Sequence, residues 1–250
     1  MCKILQAELL KLKRNPTVWI GVVAALLAVL ASRKIATAND GTLYDWALFT
    51  RNTIWLNTTL LFPCAITLVV GQSITRERTE DTLKSILIIP VSFRKLLTGK
   101  LLLGGAFTLV FALCEFVFSL LVFMTCRMPG LTIAGAIYSL VQMLGMNVCL
   151  YLAILPVITF TAFIPGAYFP GVAFAVFYGF LGIFAAGHDF TAFCPITAGL
   201  ILIRYDGVER TNTGTLISAA NLLLMFVITV AIAKLCGDRA CQYEDEDTHK

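Results

Sequence analysis

Runs of about twenty apolar residues, separated by short polar stretches, follow one another from Thr17 to Leu235. Six can be drawn, at about 17–32, 53–72, 100–126, 142–163, 171–186 and 215–235. Apolar and polar positions do not alternate within them, which excludes the roughly ten-residue dyad pattern of membrane barrel strands. A helix rising 1.5 Å per residue crosses about 30 Å of hydrocarbon in about twenty residues, and it satisfies every backbone N–H and C=O internally. The pattern therefore predicts an all-α membrane protein, with six transmembrane helices in a single domain over residues 1–250.

The edges of the runs carry local signals. Asn15 and Pro16 offer an N-cap side chain and a first-turn proline to the first span. A cleaved leader is the alternative for that span, with the "ATA" at 36–38 as its cleavage site, but Arg33 and Lys34 directly after the run argue against it. Residues 131–164 are apolar throughout and too long for one perpendicular span, yet no turn signal divides them. The span is placed at 142–163, with 131–141 as a partly inserted or tilted lead-in. The fifth span follows "IPGAYFPG", whose two Pro-Gly pairs are expected to reverse the chain. Pro63 and Pro156 are expected to kink their helices, and Gly104-Gly105 to allow close helix approach.

Composition agrees with a lipid solvent: 58% of residues are hydrophobic, 14% are charged, and the mean hydropathy is +0.85. Charge adds the orientation. Of the 19 Lys and Arg, thirteen fall in segments that are internal if the N-terminus is inside, leaving Arg33, Lys34, Arg51, Arg127, Arg204 and Arg210 outside. The excess puts both termini in the cytoplasm and favours an even number of spans.

Two polar stretches have an apolar side of their own. Residues 3–14, "KILQAELLKLKR", place Leu5, Leu9 and Leu12 on one side of an interfacial helix. This helix either anchors the first span by positive charge or takes part in coupling. The cytoplasmic loop 73–99 places Leu83, Ile86 and Leu87 at helical spacing, with Pro90 as a stop. On spacing alone, that short helix either docks a soluble partner or lies on lipid headgroups.

Glu77, Thr82, Lys84, Leu87, Pro90, Ser92, Lys95 and Lys100 resemble the first cytoplasmic loop of ABC-2 type permeases, where an acidic residue precedes T-x-K-x-x-L-x-x-P-x-S and a later Lys opens the third helix. The start "AELLKLKRNP" also resembles the N-terminus of those permeases, and the general likeness extends to the lantibiotic-immunity and bacitracin-type peptide exporters. The resemblance implies that two permeases, identical or sister subunits, pair in the membrane. Each presents its loop to one of two copies of a separate ABC ATPase. Glu77, Thr82, Leu83, Lys84, Ile86, Leu87 and Pro90 would then be the coupling residues, and an amphiphilic peptide the cargo. The implied location is a bacterial plasma membrane.

The chain's own chemistry is sparse. It contains no G-x-x-x-x-G-K-[ST] motif, so ATP is expected to be bound and hydrolysed by the partner, with no enzymatic activity, cofactor or metal here and no nucleic acid among the partners. His188-Asp189 reads as a solvated turn in preference to a metal site. Cys126 and Cys194 are candidates for an external disulfide, and Cys236 and Cys241 for acylation. In the outer loop 187–214, "ITAGLILI" at 196–203 is too short to span. It forms either a helix dipping into the outer leaflet, where cargo would meet it, or a cap over the bundle.

Glu115, Gln142, Asn147 and Asn221 stand out as intramembrane polar residues. The amides read as links between helices or as substrate ligands. Glu115 lies among Leu113, Phe116 and Val117, and is expected to be neutral and to donate a hydrogen bond to Asn147 or Asn221 on a facing helix. Its alternative is to attract cationic cargo or carry protons. The sequence thus reads as an ATP-driven ABC-2 permease exporting an antimicrobial peptide, in self-protection or resistance. The other readings are a permease for another lipid or drug amphiphile, or an ATPase-independent secondary transporter or channel.

Overall fold

The computed structural model describes residues 18–37, 44–79, 93–126, 129–164, 168–186, 190–208 and 211–247. Among these every regular element is helical. The order is α1 (Val18–Ala36), α2 (Trp46–Leu56), a π-helical turn (Asn57–Leu61), α3 (Phe62–Thr79), α4 (Phe93–Cys126), α5 (Ile133–Phe163), α6 (Tyr168–Ala186), α7 (Pro195–Leu202) and α8 (Asn212–Asp247).

Five stretches are long and apolar enough to cross a membrane: Val18–Ala36, Trp46–Ile74, Leu97–Cys126, Ile133–Phe163 and Asn212–Leu235. The fifth expected span, at about 171–186, corresponds to a shorter apolar helix, Phe169–Ala185. The whole of α6 has 19 residues, which reach about 28 Å, just under the thickness of the hydrocarbon layer.

The observed helices overrun the expected spans because capping and backbone hydrogen bonding carry a helix past the hydrocarbon. The second rod starts at Trp46 instead of 53, where the Asp45 side chain accepts from the Leu48 N–H at 2.8 Å. The lead-in proposed at 131–141 is the first part of one unbroken α5: Thr132 caps it by accepting from the Gly135 N–H, and the helix runs 31 residues to Phe163. The second Pro-Gly pair of "IPGAYFPG" belongs to the first turn of α6, where a proline is tolerated because that turn's N–H groups lack helical partners.

The α5 helix is the centre of the bundle and packs against α2, α3, α4, α6, α7 and α8. Met143, Met146, Leu150, Ile154 and Ile158 repeat every three or four residues and form its fully buried stripe. Around it close Ile66 and Val70 of α3, Leu97 and Phe111 of α4, and Ile196 and Leu200 of α7. A second cluster joins α1, α2 and α4 through Val29, Trp46, Phe49 and Phe123, with the Trp46 and Phe123 rings edge to face at 5.0 Å. Gly104 lets α4 close on its neighbours. A Cβ there would stand 2.6 Å from the Tyr151 hydroxyl and 2.8 Å from a Val70 methyl. Large apolar side chains on the outer faces, such as Trp19, Leu121, Phe177 and Leu223, remain exposed, as a lipid-facing surface requires.

Candidate functional site

The interior polar groups gather where α2 gives way to α3. Pro63 brings no N–H to the carbonyl of Thr59, and just before it the helix widens into the π turn, in which the Phe62 N–H bonds the Asn57 carbonyl. Gly179 of α6 packs against this turn, and a Cβ at that position would lie 2.5 Å from the Thr59 carbonyl oxygen.

Asn57, the first residue of the π turn, meets Glu115 of α4 and Asn147 of α5. The Asn57 Nδ2 donates to Glu115 Oε2 at 2.8 Å and to Asn147 Oδ1 at 3.1 Å. The Asn147 Nδ2 donates to the same Glu115 Oε2 at 3.0 Å and to the Met143 carbonyl at 3.0 Å. Both amide groups thereby use their two N–H donors, and three helices are tied at one carboxyl. Glu115 is 1% exposed, and its Oε1 has no hydrogen-bond partner among the described residues.

The cluster differs in two ways from the sequence expectation. Glu115 accepts hydrogen bonds from two amides, and its second amide is Asn57, not Asn221. Asn57 lies in "TIWLNTTLLF", inside the expected second span, so an amide within an apolar run was the signal that could have singled it out.

Gln142 and Asn221 hold the ends of the segment that carries α7. Gln142 Nε2 donates to the carbonyls of Ile203 and Arg204 at 3.2 and 3.1 Å, and Asn221 Nδ2 donates to that of Phe193 at 2.6 Å. Residues Ile196–Ile201 of α7 are buried against α5, α6 and α8. The helix ends in a Schellman turn: the Tyr205 N–H reaches the Leu200 carbonyl, and Arg204 takes the left-handed conformation, φ 57°, normally left to glycine. Beyond that turn the Tyr205 hydroxyl donates to the Arg51 carbonyl at 3.2 Å, and burial pushes its pKa up to about 12, so it remains a donor.

At the opposite ends of α3 and α4, Lys100 is 4% exposed and donates through Nζ to the Ser73 carbonyl at 2.6 Å and to Ser73 Oγ at 3.1 Å. This contact joins the two helices at the mouth of loop 73–99. Glu77 lies on the last turns of α3. Thr82, Leu83, Lys84, Ile86, Leu87 and Pro90 fall outside the described residues, as do the helix expected at 3–14 and His188-Asp189. Cys126 and Cys194 carry free thiols. No cluster of His, Cys, Asp and Glu suited to a metal occurs among the described residues.

A bundle of apolar helices around a sparse, internally bonded polar core, with α3 and α4 joined by the Lys100–Ser73 contact, defines a multi-pass membrane protein. The match to the family described as ABC-2 family transporter protein covers residues 4–182, and the chain belongs to that family. It is a permease-type transport subunit of a class that generally works with an ABC ATPase subunit. Among curated proteins no match is found.

Proposed function

We propose that this permease is the membrane half of an exporter that expels a lantibiotic-like antimicrobial peptide from a bacterial plasma membrane, as self-protection or resistance. Two permeases, two copies of this chain or this chain and a sister subunit, pair in the bilayer. Each engages one of two ATPase copies through loop 73–99. Six crossings keep both termini in the cytoplasm, with α6 as the fifth crossing and the 203–208 turn outside.

The observation that carries the coupling role is the buried Lys100–Ser73 contact, which closes the base of the loop at its two ends. A hydrogen bond to a charged donor contributes about 1.5–3 kcal/mol. Displacement of the loop by nucleotide-driven ATPase movement would therefore move α3 and α4 together. The Asn57–Glu115–Asn147 cluster then couples these helices to α5. Leu83, Ile86 and Leu87 supply the apolar anchor of the docking helix, and the neighbouring charges orient it.

Leu83→Asp together with Leu87→Asp is expected to leave membrane insertion intact and to abolish copurification of the ATPase. Retention of the ATPase by the doubly charged variant would show that this loop is not the docking element.

A further inference from the structure

Where α2 and α5 begin, a cavity of about 60 Å³ opens between Trp46, Arg51, Tyr138, Gln142, Tyr205 and Asp206. Its depth in the membrane follows from the helices: both start beside it, each with its own cap, Asp45 and Thr132, so the cavity lies at the headgroup level of two spans. Tyr138 and Tyr205 at that level fit the aromatic belt of a membrane interface.

The walls are held in place by their own hydrogen bonds. The Trp46 Nε1 donates to Ser139 Oγ at 3.0 Å, the Tyr138 hydroxyl donates to the Arg204 carbonyl at 3.3 Å, and Gln142 spends its Nε2 on the carbonyls after α7. These contacts consume the lining's neutral donors and leave the charged groups as its means of recognition. Half-buried Arg51 and exposed Asp206 line the same cavity without an ion pair between them. On the Arg51 side the guanidinium supplies positive charge, and the starts of α2 and α5 touch beside the cavity, since a Cβ on Gly135 would lie 3.5 Å from the Trp46 ring. That side suits an anion. Asp206, with the Tyr138 and Tyr205 rings in the same lining, suits an ammonium group.

We propose that this cavity binds the headgroup of a zwitterionic aminophospholipid, with the phosphate at Arg51 and the ammonium at Asp206. A membrane lipid is the source favoured by the cavity's depth, because phosphate and ammonium occur together at that level of the bilayer. The site would fasten the α2, α5 and 203–208 end of the bundle to the leaflet. It depends on neither the peptide cargo nor the ATPase.

The test is native mass spectrometry of the full-length permease titrated with phosphatidylethanolamine, phosphatidylglycerol or soluble phosphoethanolamine. Phosphatidylethanolamine should be retained in preference to phosphatidylglycerol, and Arg51→Gln and Asp206→Asn should each weaken it about tenfold. Asp206→Asn should leave phosphatidylglycerol binding unchanged. Arg51→Lys should restore part of the loss, and both charge-removing variants should keep the wild-type elution volume, since Tyr205 is held by the backbone carbonyl of residue 51. Equal retention of the two lipids, or unaltered binding in both variants, would overturn the proposal. Binding of soluble phosphoethanolamine as tight as that of the lipid would overturn the lipid assignment, and occupancy only by added cargo peptide would do the same.

Discussion

Replacement of Glu115 by leucine is expected to destabilise the permease sharply, whereas Glu115→Gln should assemble normally. Leucine removes the oxygen that accepts from both Asn57 and Asn147 and leaves two amide donors inside the bundle. Each orphaned buried polar group costs about 1–3 kcal/mol. Relief is limited, because the cluster lies between α2, α4 and α5 and every member is at most 6% exposed. Glutamine keeps an oxygen to accept from the two asparagines and places its amide where Oε1 stood.

Thermal unfolding of the detergent-purified protein, followed by size-exclusion chromatography, measures the contrast. Glu115→Leu should lose the monodisperse peak at a markedly lower temperature, and Glu115→Gln should stay close to wild type in both unfolding and ATP-dependent peptide resistance. Normal assembly of Glu115→Gln with loss of resistance would place the carboxyl on the transport path, as a proton carrier or a cation-attracting group.

The second large effect is expected at Lys100. Lys100→Met preserves much of the side chain's length but deletes the donor that holds the Ser73 carbonyl and hydroxyl. The base of the loop should then open while the segment proposed for docking, which contains Leu83, Ile86 and Leu87, keeps its sequence. ATPase copurification should persist and peptide resistance should fall about tenfold, the equivalent of a lost contact of about 1.4 kcal/mol or more. Ser73→Ala keeps the backbone carbonyl and should cost much less. Loss of ATPase binding in Lys100→Met would reassign the lysine from transmission to docking, and unchanged resistance would remove it from the mechanism.

The helices were legible in the sequence because continuous apolar runs leave a lipid-embedded backbone no other way to satisfy its hydrogen bonds. Their ends were less legible. Residues 44–52, "YDWALFTRN", mix Asp, Arg and Asn with aromatics, so hydropathy alone starts the second span at 53, although Asp45 is a ready N-cap. Periodicity could not distinguish a tilted lead-in at 131–141 from the first turns of a long helix, because that stretch is apolar on every side. The apolar run at 196–203 was visible, but its burial depends on α5, α6 and α8 closing around α7.

The polar core was half readable. Glu115 and Asn147 stand out as polar residues in apolar surroundings, yet their pairing depends on how far each helix rotates, and hydropathy does not fix that rotation. Asn57 reaches them from the π turn preceding Pro63, and a local widening of this kind shifts every side chain after it around the helix axis. Lys100 was visible only through its resemblance to a family motif. Its structural partner, Ser73, lies 27 residues away in the chain, beyond any local pattern.

Single-cysteine accessibility in intact cells tests the central claim most directly, because five and six crossings put residue 206 in different compartments. In a background lacking the other cysteines, positions 2 and 95 should react with a membrane-impermeant thiol reagent only after the membrane is opened, and position 206 should react from outside. Labelling of 206 only from the inside would contradict the six-span permease, and labelling of 95 in sealed cells would remove loop 73–99 from the arrangement proposed for ATPase coupling.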